Sequence, residues 1–258
     1  MSTQIRFARG QRSSLRWPAT PQRGILVRLV CTALCVVTVL LVVEMSSGAA
    51  TVSTSTSGPS AVAQATGAYV SLYTSPSSMK PYARLNNPIS SGGPLVFLVS
   101  NYSRAPKWLR VYLPERPNES QAWIRGRAVT LSKDDYRIVA NLNTHRILVY
   151  KDAKILFNDP VGVGRSVLPT PTGTYYLFEL LKQPNPFGAY GPYAFGLSAF
   201  SNVLHSFGGG PGQIGLHGTD VPSSVGKSAS HGCLRVTNTL ITRLAKLLPL
   251  GTPVEIVR

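Results

Sequence analysis

Residues 228–236 read "SASHGCLRV". They hold Cys233, the one cysteine in the last 223 residues. A cysteine nucleophile needs a base or cation to favour thiolate over a thiol of ordinary pKa about 8.5. It needs backbone N–H groups aimed at a developing oxyanion, and bare backbone beside it so that a carbonyl can approach. The run "SHGC" offers the last two. Gly232 removes a side chain next to the sulfur. The N–H groups of His231, Gly232 and Cys233 can converge in a tight turn, which makes Gly232 and Cys233 candidate oxyanion donors. The helix expected a few residues later adds positive potential.

The base must come from elsewhere in the chain. Its histidines are His145, His205, His217 and His231. His217 ends the apolar run in "QIGLHGTD", which puts an imidazole at a strand end facing a cleft. The loop "GTDVPSSVGKSA" is long enough to return the chain to Ser230. His231 fixes the turn or takes part in catalysis, and both readings stay open. His145 reads as a surface residue beside strands, and His205 as structural. His217, His231 and Cys233 lack the acidic or CxxC complement of a metal site, so no metal is expected. "FGGGPG" (residues 207–212) has no following helix or Lys-Ser/Thr, so it reads as a turn near the cleft rather than a phosphate loop.

The run "IGLHGTDVPSSVGKSASHGCLRVTN" resembles the signature of the YkuD-type L,D-transpeptidase catalytic domain: a histidine, a variable loop, then Ser/Thr-His-Gly-Cys, an apolar residue and Arg or Asn. Here these are His217, the loop, Ser230, His231, Gly232, Cys233, Leu234 and Arg235. The likeness extends with less detail over about residues 136–257, including "TPTG" (170–173) and "GTPV" (251–254), with an actinobacterial flavour in "YGPYAFGLSAFS". It implies an enzyme acting on peptidoglycan stem peptides. Cys233 would attack the carbonyl between a diamino acid and a terminal D-alanine, leaving a thioester. A second stem's side-chain amine would resolve it as a three-to-three cross-link. It also implies His217 as base and acid, with the Gly218 carbonyl orienting its ring, and Arg235 bracing the site or meeting an anionic group. Ser230 and Tyr193 would form pocket wall. Acylation of Cys233 by carbapenems is implied too, and no cofactor. Rival readings are an L,D-carboxypeptidase on the same framework and a non-catalytic wall-binding protein.

The rest of the chain sets the context. Charged residues are 14% of the 258, and Gly and Pro are plentiful, which suits a turn-rich, mainly β protein. Five arginines precede an apolar run at residues 25–43, and a sixth, Arg28, lies near its start. As a helix that run would span roughly 28 Å, close to a bilayer core. Arg28 can snorkel toward headgroups, and the basic flank orients the amino terminus to the cytoplasm. The run reads as a single-pass membrane anchor, or as a secretory signal cut near "SSGAA". Either way the remainder lies outside the cytoplasmic membrane. Beyond residue 50 it carries 20 Lys and Arg against nine Asp and Glu, a net of +11. That charge suits an anionic envelope surface, and nucleic acid is not an expected partner. Cys31 and Cys35 lie within the apolar run, so Cys233 has no disulfide partner in its compartment.

The expected organisation is a basic cytoplasmic segment (1–24), the anchor (25–43), a flexible Ser/Thr/Ala linker (44–66), a small β domain (67–130) and the catalytic domain (131–258). The small domain has alternating strands and ends in "PNESQAWI", which resembles bacterial SH3-like barrels that often bind wall material. A spacer role is the other reading. The catalytic part reads as sandwich-like, with a hairpin turn at 151–154 and one amphipathic helix carrying Leu240, Leu244, Leu247 and Leu248 on a face. Thr237 or Asn238 would cap its start and Gly251 its end. The oligomeric state is not legible.

Overall fold

The computed structural model describes residues 58–101 and 107–258. The basic segment and the apolar run at 25–43 lie outside the described residues. No helix among the described residues is long and apolar enough to cross a membrane.

The amino-terminal part contains β1 (Ser60–Ala65), β2 (Tyr69–Leu72), β3 (Ala83–Asn86), β4 (Val96–Asn101), β5 (Trp108–Tyr112), β6 (Gln121–Arg125) and β7 (Val129–Asp134). Five of these form an antiparallel sheet ordered β6-β5-β4-β1-β7, and β2 and β3 make a separate hairpin. β5 and β6 alternate buried and less buried residues, as one-sided strands should. β1 corrects the linker reading. "SAVAQA" is a central strand, paired with β4 on one side and β7 on the other. Its faces are both covered. Ala63 packs with Phe97 in the local core, while Val62 joins Val96, Leu98 and Tyr176 in a seam against the carboxy-terminal part. Small side chains suit a strand squeezed from both faces.

The carboxy-terminal part contains β8 (Tyr136–Asn141), β9 (Arg146–Lys151), β10 (Lys154–Pro160), β11 (Val163–Gly164), β12 (Gly173–Lys182), β13 (Tyr193–Phe200), β14 (Gln213–His217), β15 (Ser228–Ser230), β16 (Leu234–Arg235), α1 (Asn238–Leu247) and β17 (Pro253–Val257). The sheet order is β10-β9-β8-β17-β12-β13-β14-β16, with β11 and β15 paired beside it. The expected sandwich takes the form of one curled sheet. Bulges between Ile155 and Phe157 and between Leu177 and Glu179 bend it. Residues from β8 and β9 share one core with residues from β13, β14 and β16. Asp152, at φ 51°, forms the expected hairpin turn.

Helix α1 starts as expected, with Thr237 Oγ1 accepting the Leu240 N–H. It buries Leu240, Ile241 and Leu244, with Leu248 at its end. Pro249 follows Leu248, so the helix stops before Gly251. Gly251 serves the seam instead. Its φ is +96°, and a Cβ there would lie 2.3 Å from Val62 Cγ1. Gly251→Ala is therefore expected to cost about 2–4 kcal/mol from backbone strain and overpacking. The urea midpoint should fall. An unchanged midpoint would mean that the seam yields freely.

The two parts are also joined by polar contacts. Arg116 donates to the carbonyls of Ser201, Leu204 and Pro211. Asn118 exchanges two hydrogen bonds with the Phe200 backbone. Thr252 Oγ1 donates to Asp134 at 2.6 Å. The amino-terminal β unit thus holds the segment 201–211 that borders the cleft described next.

Candidate active site

Strand alternation sorts the chemistry onto one face of the sheet. In β14, Ile214 and Leu216 enter the core, while Gln213, Gly215 and His217 line a cavity of about 260 Å³. Leu234 of β16 is likewise core, which turns Cys233 and Arg235 the other way. β14 and β16 pair in parallel with Leu216 opposite Leu234 and His217 opposite Arg235. Cys233 therefore falls beside Gly215, whose N–H donates to Sγ at 3.3 Å.

Gly215 is where imidazole and thiol converge. A Cβ at Gly215 would lie 3.5 Å from His217 Cδ2 and 3.8 Å from Cys233 Sγ. The residue thus gives both groups room, a reason for glycine that the sequence pattern did not reveal. On the other side of the ring, Nδ1 lies 2.5 Å from the Gly218 carbonyl oxygen. A carbonyl only accepts, so Nδ1 carries the proton and Nε2 keeps its lone pair. Gly218 and Gly191 pack against Asn238 Oδ1, which also accepts the Thr219 N–H. This ties the His217 turn to the start of α1 and to the loop carrying Tyr190. The Tyr190 ring meets the imidazole edge-on at 4.8 Å.

The pair rests neutral. Burial pushes His217 down to about 4, with Arg235 adding to the effect and the Gly218 carbonyl opposing it. Burial pushes the Cys233 thiol up, and the Gly215 N–H and Arg235 offset part of this. Both shifts favour the neutral thiol and the neutral imidazole over a thiolate–imidazolium pair.

The cysteine turn is held from inside. Ser230 is 1% exposed. Its Oγ accepts the Gly232 N–H at 3.0 Å and donates to the Cys233 carbonyl at 2.7 Å. Thr170, from "TPTG", donates to the Gly232 carbonyl and accepts the Gly164 N–H, both at 2.8 Å. Ser230 borders a small cavity beside the sulfur while its hydroxyl is spent inside the turn. One expectation changes here. The Gly232 N–H is committed to Ser230 and is not free for an oxyanion, whereas the Cys233 N–H has no partner among the described residues. Gly232 itself has φ +123°, which a side chain would strain.

Tyr193 is corrected as well. It packs against the core, and Tyr190 lines the cleft in its place. His231 makes no hydrogen bond to the cysteine; it stacks on Phe207 at 5.2 Å. It borders a smaller cavity of about 80 Å³ with Arg235. The two cavities share Tyr190, Phe207, His217 and Cys233, so space reaches the sulfur from two sides. The Arg235 Nε is buried without a hydrogen-bond partner, while the residue's N–H and carbonyl pair with Gly162. His205 is exposed, and His145 bonds Ser228 at 2.9 Å. A larger crevice of about 450 Å³, lined by Tyr112, Arg137 and Glu255, contains none of these groups. No cluster of three or more His, Cys, Asp or Glu suited to a metal occurs among the described residues.

Cysteine and histidine thus stand at adjacent strand ends of a curled β sheet and face one cavity. Residues 135–256 match the YkuD family, described as an L,D-transpeptidase catalytic domain. The chain is 35% identical over 121 residues to YkuD of Bacillus licheniformis, covering 47% of this chain and 65% of that protein. It is 30% identical over 137 residues to YqjB of Bacillus subtilis, covering 49% of this chain and 73% of that one. Both relatives bear the L,D-transpeptidase designation. Among solved structures, L,D-transpeptidase 3 from Mycobacterium tuberculosis aligns at 16% identity and TM-score 0.42, covering 62% of this chain and 82% of that one. The chain belongs to the YkuD family of L,D-transpeptidases.

Proposed function

We propose that this chain cross-links peptidoglycan stem peptides through a thioester on Cys233. The observation that carries the reading is the His217 ring. Its Nδ1–H is held by the Gly218 carbonyl, and its Cδ2 edge and Cys233 Sγ both flank Gly215 in one cavity. Sγ attacks the carbonyl carbon between a diamino acid and terminal D-alanine, and its proton passes to Nε2 of His217. The tetrahedral oxyanion is received by the Cys233 N–H. As the C–N bond breaks, His217 returns the proton to the leaving amine of D-alanine. A second stem's side-chain amine then attacks the thioester, gives up a proton through His217, and the thiol is restored. Arg235, beside His217 and with an unpartnered Nε, is suited to an anionic group of the substrate.

The apolar run at 25–43, whether an anchor or a cleaved signal, would place this chemistry on the outer side of the cytoplasmic membrane, where such a substrate would lie. The test is incubation of the full chain with a disaccharide-tetrapeptide, read by mass spectrometry. The expected product is a dimer formed with loss of one D-alanine. A shortened tripeptide alone would make the enzyme a carboxypeptidase. Unchanged substrate and an unmodified Cys233 would favour a wall-binding protein.

A further inference from the structure

The sheet register lines up four residues across four strands. Glu179 of β12 lies opposite Gly196 of β13, and Gly196 lies opposite Gly215 of β14. Gly215 in turn lies beside Cys233. All four line the same 260 Å³ cavity. The two middle positions have no side chains, so open space over Gly215 runs from the sulfur to the carboxylate, which stands over Gly196 beside the Gln213 amide. A Cβ at Gly196 would lie 2.7 Å from Glu179 Oε1. Any residue other than glycine at 196 would collide with the carboxyl group.

Glu179 is the one charged residue lining that cavity. No basic side chain lies within ion-pair distance of it among the described residues. A half-buried carboxylate without a cation, in a chain of net charge +16, leaves a place for a cationic ligand. We infer that Glu179 receives the side-chain ammonium of the donor's diamino acid, and so selects donors in which that amine is free. The inference rests on the acyl-transfer reading above.

Lengths agree. Opposed Cβ positions on neighbouring strands lie about 5 Å apart, which puts the carboxylate at most about 12 Å from the sulfur. From the attacked carbonyl carbon, six single bonds reach the terminal amine of a straight diamino acid, an extended span of about 7.5 Å. The forming carbon–sulfur bond at one end and a charge-assisted hydrogen bond of about 2.8 Å at the other fill the remainder. The chain of methylenes lies over Gly215, where any side chain would block it, and ends at the carboxylate standing over Gly196.

The test uses the full chain in excess over two tetrapeptide donors, one with the terminal amine free and one with it acetylated. Acylation of Cys233 is followed by intact-protein mass. The wild-type protein should be acylated roughly ten- to fifty-fold faster by the free-amine donor, the range expected for a partly screened charge-assisted contact. In Glu179→Gln the two donors should converge to within about threefold, and Glu179→Asp should recover part of the preference. Equal rates for both donors in the wild type, a comparison that needs no variant, would overturn the inference and leave the acyl-transfer reading standing. So would Glu179→Gln with the preference intact. Acylation by neither donor would overturn that reading and this inference with it.

Discussion

Cys233→Ala is expected to abolish acylation, with D-alanine release falling by about four orders of magnitude or more. No other thiol lines either cavity. The remaining cysteines, Cys31 and Cys35, belong to the apolar amino-terminal run. Intact mass after incubation with donor should show no adduct. The fold should survive. Sγ accepts the Gly215 N–H, and removing that acceptor costs about 1–3 kcal/mol. The turn keeps its ties through Ser230 and Thr170. Cys233→Ser separates the two effects, because its hydroxyl still accepts the Gly215 N–H while a hydroxyl is a far weaker nucleophile here. Retained D-alanine release in either variant would remove the sulfur from the chemistry. Global unfolding of both would make it a packing element. The raised thiol pKa also bears on survival in oxidising surroundings, since the protonated form oxidises slowly.

Sequence made some of this legible and hid the rest for identifiable reasons. The His217–Cys233 pairing could be read because both sit in one short run joined by a loop. Thr237 as the helix cap and Asp152 as the hairpin turn are local chemistry, so they could be read too. β1 was hidden because "SAVAQA" lacks the large branched residues of an ordinary strand. Its small residues reflect cover on both faces, which is a tertiary fact. Tyr190 and Tyr193 are three residues apart, and only the strand register decides which faces the cleft. Tyr193 opens β13 opposite Lys182, and its ring turns to the core. Gly215 and Glu179 acquire meaning only across strands, through pairings that no linear pattern displays. The Arg116 clamp on residues 201–211 spans more than eighty positions and offers no local signal.

His217→Ala is expected to slow acylation by about 10²–10⁴-fold, the usual worth of a positioned base. Its pH signature is more specific. A base must be unprotonated, and burial holds this imidazole neutral down to about 4. The acid limb of the wild-type acylation rate should therefore fall near pH 4 rather than near 6.5, the ordinary histidine value. The same shift couples to stability. Between pH 6.5 and 4 the unfolded chain binds a proton at this residue and the folded chain does not, so stability is lost as pH falls through that window. The full loss below pH 4 amounts to about 3 kcal/mol, from 1.36 kcal/mol for each unit of separation. Urea unfolding of the wild type and His217→Ala, at pH 7 and again near pH 4, measures it by difference, so that other titrating groups cancel. The wild type should lose about 3 kcal/mol more than the variant over that interval. An acid limb near 6.5 with equal losses in both proteins would mean that the imidazole is solvated in solution. The tautomer fixed by Gly218 would then be no basis for assigning His217 as the base.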